Sequence, residues 1–248
     1  MLQILYEDRN VIVVWKPEGV ESQASRGLGM DMAGMIKTHI HNSSPDSGEP
    51  YVGVIHRLDK PVSGILVYAK DKKSAAALSR QVCGAGMEKK YLAVLCGQVD
   101  KNVDKFVDYL LKEEKNNVSR IVDKGITGAK RAELSYQILQ RGIRAPYGCL
   151  ALAEITLLTG RHHQIRVQMA GHGLPLFGDR KYNPAFAAVQ KGGEKLALSA
   201  YRLSFLHPAT GERLSFNRMP DGGIFGSFAP WGDGRQGEPV LGAAPGRL

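Results

Sequence analysis

The chain has 248 residues, is 43% hydrophobic and carries a formal net charge of +9, which suffices for one large domain or two small ones around an ample core. No apolar run approaches the roughly 18 residues of a membrane span, and the start, Met1-Leu2-Gln3-Ile4-Leu5-Tyr6-Glu7-Asp8, lacks the basic opening of a signal peptide, so a cytoplasmic protein is expected. The last 28 residues hold two Arg against three acidic residues; the positive excess lies in residues 1–220 and suggests a polyanionic partner, nucleic acid being the usual one.

Val11 to Trp15 is a β-branched run ending at Lys16-Pro17-Glu18-Gly19, a strand entering a turn. Residues 30–41 suit a short helix and 42–50 a polar loop. Gly64 to Ala69 reads as a buried strand. Asp71 is a fitting N-cap for a helix reaching Val82, with Ala75, Leu78 and Val82 at helical spacing, and Gly84 and Gly86 close it. Tyr91 to Leu95 is the next strand. Arg131 to Leu139 and Leu150 to Leu158 alternate like half-exposed strands. Arg161 opens a helix in which Ile165, Gln168, Met169 and His172 share a face. Leu196 to Leu206 is strand-like again.

Strands outnumber helices and are joined mostly by short turns, which predicts an α+β domain on a largely antiparallel, mixed β-sheet flanked by helices and loops. Residues 1–220 are expected to form a single catalytic domain. Asp221 to Leu248, with eight Gly and three Pro, reads as a mobile tail, part of which Phe225, Phe228 and Trp231 would dock. Cys83, Cys96 and Cys149 lie far apart without a CxxC spacing and read as buried thiols in a reducing compartment.

One stretch stands out. In His56-Arg57-Leu58-Asp59-Lys60-Pro61-Val62-Ser63-Gly64 a single acid sits between basic residues at the mouth of an apolar strand. Such a carboxylate stays ionised and serves as a nucleophile or a base; alone, it would more often be a turn aspartate capping backbone N–H groups. The whole stretch resembles the signature of the RluA-like pseudouridine synthases, His-Arg-Leu-Asp, two residues, Thr-Ser-Gly, and departs from it at Val62. Four further segments agree with that family in its own order. They are Tyr6-Glu7-Asp8 through Gly19, Lys89-Lys90-Tyr91-Leu92-Ala93, Thr159 through Ala170 continuing into Gly171-His172 and Gly178-Asp179, and Leu196-Ala197-Leu198 with Leu206-His207-Pro208 and Gly211-Glu212. The resemblance covers about residues 1–218.

It implies the pseudouridine synthase fold and an RNA isomerase acting on uridines of rRNA or tRNA without metal or other cofactor; a monomer is the default expectation. Asp59 would be the nucleophile. Arg166 would pair with it, lowering its pKa and orienting it through a planar fork. Tyr91 would stack on the flipped base, although by position alone it is a core strand tyrosine. Leu198 would wall the pocket. His56, Arg57, Arg161 and His163 lie in the two motifs beside it, where they would hold phosphates or help extrude the base. The adjacent His162 and His163 invite a metal reading, which the lack of a third ligand cluster disfavours. Lys70, Lys72, Lys73, Lys89 and Lys90, with Lys112, Lys115, Arg120, Lys124, Lys130 and Arg131, offer a rim for an RNA backbone, each being individually a solvated charge. The competing expectation is a catalytically silent RNA-binding or ribosome-assembly protein on the same fold. A phosphotransferase is disfavoured, since no glycine-rich phosphate loop accompanies Asp59.

Overall fold

The computed structural model describes residues 2–24, 31–45, 48–84, 86–187 and 193–228. The chain forms two compact units, one from residues up to 89 with 200–220, the other from 90–199 with the start of the C-terminal segment. Each is built on a mostly antiparallel sheet, and helices are few, so the chain is α+β as expected. No helix among the described residues is long and apolar enough to cross a membrane.

In the first unit, β1 (Gln3–Glu7), β2 (Val11–Lys16) and β4 (Ser63–Ala69) lie side by side, followed by β10 (Leu198–Leu206) and β11 (Arg213–Asn217). A two-residue strand, β3 (Gly53–Val54), pairs with the end of β4. Val11 faces Ala69 and Lys16 faces Gly64 across the β2–β4 ladder. Both strands are buried on both faces, which is why their sequences are apolar without alternation. Val11, Val13, Trp15, Ile65 and Val67 pack with Leu78, Leu203, Phe205, Leu214 and Phe216. Gly64 is required where it stands: its φ is +146°, and a Cβ there would lie 2.5 Å from the Ala200 Cβ and 2.6 Å from the Ala200 carbonyl oxygen. The serine-glycine pair of the motif thus marks a close backbone approach of β4 to β10.

Helix α1 (Met32–Ser43) starts at Asp31, whose carboxylate accepts the Gly34 N–H. Helix α2 (Lys72–Cys83) starts at Asp71, whose carboxylate accepts the N–H and the hydroxyl of Ser74.

In the second unit, β5 (Glu88–Cys96), β9 (Gly148–Leu157), β8 (Lys130–Arg144), β6 (Val103–Glu113) and β7 (Val118–Val122) are neighbours in that order. A bulge in β8 falls between Ile138 and Gln140. Helix α3 (Gln164–Gly171) packs Val167 on Leu110 and Ala132. Val94, Leu150, Leu152, Phe177, Phe186 and Phe228 form a separate cluster. Phe186 lies on α4 (Pro184–Ala187), a single turn. Phe228 reaches the cluster from the C-terminal segment, behind a 3₁₀ turn at Gly223–Ser227, and the Arg144 guanidinium covers its ring. Phe225 packs beside it; Trp231 lies outside the described residues.

Two expectations need correction. The cysteines are not buried: Cys83 and Cys149 are exposed and Cys96 is half-buried, because Cys83 closes α2 and Cys149 begins β9 beside a turn. Nor does the third helix open at Arg161. It starts at Gln164, because His163 takes left-handed backbone (φ 53°) and the Gln164 side chain ties the preceding turn to itself, accepting from Arg161 N–H and from the Thr159 hydroxyl.

Candidate active site

The loop carrying Asp59 joins β3 to β4 and is held from behind. Lys16, the last residue of β2, is a lysine with no exposed surface. Its ammonium donates to the carbonyls of Pro17 (3.0 Å), Val20 (2.7 Å) and Lys60 (3.2 Å). Burial pushes its pKa down to about 8, against the opposing pull of Asp59 and Glu18. The Gly19 N–H also donates to the Lys60 carbonyl, and the Ser22 hydroxyl both donates to the Leu58 carbonyl and accepts the Leu58 N–H. The Val62 N–H closes the turn on the Asp59 carbonyl. None of these contacts uses the Asp59 carboxylate. Val62, where the family pattern has Thr, is 2% exposed, an apolar position that suits valine.

Around Asp59, Arg57 is exposed and His56 is half-buried. Burial, with Lys89 beside it, pushes the His56 pKa down to about 3. Its Nε2 faces the Val67 N–H at 3.4 Å, a long contact that places the ring proton on Nδ1. His56 is therefore a neutral ring, suited to donating one hydrogen bond and not to neutralising a phosphate.

In the second unit, Tyr91 lies on β5 opposite Ile155, which also faces Tyr136 across β9–β8. Tyr136 touches Phe106, on which His172 at the end of α3 stacks. The period-two alternation thus puts Tyr91 on the sheet face that α3 covers. Leu198, at the start of β10, is buried. Arg161 is exposed, its Nε donating to the Arg131 carbonyl.

Helix α3 is buried from Gln164 to Met169 on nearly every side. Arg166 among these residues is 5% exposed. Its Nε and Nη2 donate to the two carboxylate oxygens of Asp179 at 2.8 and 2.7 Å, and Asp179 has no exposed side-chain surface. This is the planar fork expected of a guanidinium, made here with a residue that spacing does not single out. The Tyr182 ring lies under the guanidinium, 5.1 Å from Cζ. His163 stacks on His162, and its Nδ1 is 2.8 Å from the Tyr182 hydroxyl. Burial, then Arg166 and His162, push the His163 pKa down to about 2. His162 places Nδ1 2.9 Å from the Ser119 hydroxyl. The two imidazoles thus turn a ring nitrogen each toward hydroxyl partners.

Five of the eleven residues of the basic rim meet an acidic side chain. Lys70 meets Glu7, Lys90 meets Glu154, Lys112 meets Glu114, Arg120 meets Glu113 and Arg131 meets Glu133. Residue types alone miss Lys16, Asp179 and Tyr182. The signals were present: a lysine closing a fully buried strand, and an acid beside the glycine of a motif.

The pattern of the RNA pseudouridylate synthase family matches residues 10–171. Ribosomal large subunit pseudouridine synthase C of Escherichia coli is 33% identical over 226 residues, covering 89% of this chain and 67% of its own. The RNA pseudouridine synthase YlyB of Bacillus subtilis is 33% identical over 216 residues, covering 87% and 68%. The solved structure of human RNA pseudouridylate synthase domain containing 4 superposes with a TM-score of 0.71 at 22% identity, over 88% of each chain, and shares the fold. The match spans the Asp59 loop, the Tyr91 strand and Arg166 together, and on this ground the chain belongs to the RNA pseudouridine synthase family.

Proposed function

We propose that this protein converts specific uridines of ribosomal RNA to pseudouridine with Asp59 as nucleophile. The observation that carries the reading is that the Asp59 loop is fixed through Lys16, Gly19 and Ser22 and through the backbone of its neighbours. Such a scaffold fixes where the acid is presented. The isomerisation breaks the C1′–N1 bond, turns the uracil and forms the C1′–C5 bond; one proton is lost at C5 and one gained at N1. A carboxylate attacks or stabilises the sugar centre as it develops positive charge, as in retaining glycosidases.

Arg166 pairs with Asp59 and orients it. Tyr91 receives the extruded base on its ring, replacing stacking worth roughly 1–3 kcal/mol. Leu198 walls the pocket. Arg57 and Arg161 hold phosphates, while neutral His56 and His163 serve as hydrogen-bond donors near the base. Residues 1–220 form the catalytic part, the protein works as a cytoplasmic monomer, and its partner is RNA. The names of the relatives favour large-subunit rRNA over tRNA.

Pseudouridine mapping of rRNA and tRNA from cells with and without the protein tests this. One or more large-subunit sites should vanish on deletion and return on complementation. Loss of tRNA sites alone would redirect the substrate. An unchanged map, with RNA still bound, would favour a silent RNA-binding protein.

A further inference from the structure

Asp179 and Tyr182 surround Arg166 and have no part in the steps above. They lie on one turn that begins at Gly178, whose φ is +72°; a Cβ there would fall 1.9 Å from the Lys195 carbonyl oxygen. Only glycine permits this backbone. The Asp179 carboxylate grips the guanidinium edge through Nε and Nη2, and its Oδ1 also accepts the Lys181 and Tyr182 N–H groups. The carboxylate is therefore fixed before it fixes the arginine. Tyr182 touches the guanidinium face, and its hydroxyl accepts the Ser119 N–H from β7 at 2.7 Å. The Lys181 ammonium donates to the Asn117 carbonyl on the β6–β7 turn. The turn is thus pinned to the sheet by two bonds besides its own.

We propose that Asp179 and Tyr182 are positioning residues for the isomerisation: they lock the plane of the Arg166 guanidinium from its edge and its face, so that its other N–H donors are aimed before RNA arrives. The proposal rests on the reading of Arg166 as the partner of Asp59. A guanidinium restrained only by a carboxylate can still tilt about the axis of the fork; the ring beneath it removes that freedom.

The test compares wild type, Asp179→Asn and Tyr182→Phe on an in vitro transcript of large-subunit rRNA. Solvent exchange of the Arg166 Nε–H is followed by NMR in the same proteins without RNA. Asp179→Asn should lower kcat about 10- to 100-fold with KM little changed. Arg166 Nε–H exchange should speed up. Tyr182→Phe keeps the ring but loses the hydroxyl that anchors it to the Ser119 N–H, so the ring loosens beneath the guanidinium and the same changes should appear to a smaller degree. It decides the matter if Asp179→Asn does not fold. Wild-type kcat and Nε–H exchange, with only a lower melting temperature, would overturn the proposal. If the wild-type protein forms no pseudouridine, the Asp59 reading falls instead, and the Arg166 exchange rates still decide whether the clamp exists.

Discussion

The Asp59 loop and the Arg166 helix are both built around a buried cation, but the cations work in opposite ways. Lys16 is a point charge with rotatable donors; it collects three backbone carbonyls and fixes a loop whose own acid it does not hydrogen-bond among these contacts. Arg166 is itself the group being fixed, through its side chain, by a carboxylate. In the first region these hydrogen bonds run through backbone atoms of the loop; in the second they run through the candidate functional side chain itself. Substituting Asp59 should therefore spare the fold, whereas changes around Arg166 should affect fold and function together.

The strongest way to break this contrast is Asp179→Ala. It removes the bidentate carboxylate partner of a buried guanidinium and should cost about 3–5 kcal/mol in chemical denaturation; a loss below about 1 kcal/mol would show that the fork is dispensable. Next is Lys16→Met, which removes an ammonium bridging three carbonyls but also relieves its burial. We expect a cost of about 2–3 kcal/mol and a loosened Asp59 loop, visible as faster amide exchange at Val62. Stability equal to wild type would mean that the loop is held by Ser22 and Gly19 alone.

A smaller effect concerns pH. The folded chain keeps His163 neutral with a pKa near 2, while the unfolded chain protonates it below about 6.5. Between these values the unfolded state binds the extra proton, so stability rises with pH and is lost as pH falls. The slope from this group is at most about 1.4 kcal/mol per pH unit. Denaturation at pH 7, 6 and 5 should show it, and His163→Asn, which tolerates the left-handed backbone, should flatten it. An unchanged slope would place the acid sensitivity elsewhere. The smallest effect expected is on the stability of Asp59→Asn, within about 1 kcal/mol of wild type.

The legible parts of the molecule are those governed by short-range rules. Helix α2 follows from Asp71 as a cap and from Ala75, Leu78 and Val82 at helical spacing, and it begins and ends within a residue of expectation. Strands β2 and β4 follow from their β-branched runs. Helix α3 resists the same reasoning because it is buried nearly all round, so no single apolar stripe marks its start, and the turn before it is tied by the Gln164 side chain. Strand β6 is also hard to read, because Lys105 and Asp108 interrupt its apolar residues with charge that pairs across strands or meets α3. At the site, Asp59, Tyr91 and Arg166 are legible by motif. The fork between Arg166 and Asp179 is not, because the residues are 13 apart and only the backbone at Gly178 turns one toward the other.

The most direct test of the central claim is pseudouridine formation by Asp59→Asn. It would be followed by tritium release from RNA labelled at carbon 5 of uridine, with folding and RNA binding measured on the same protein. The account predicts a folded, RNA-binding protein that releases no tritium above background. Turnover by that variant at a rate near wild type would contradict it.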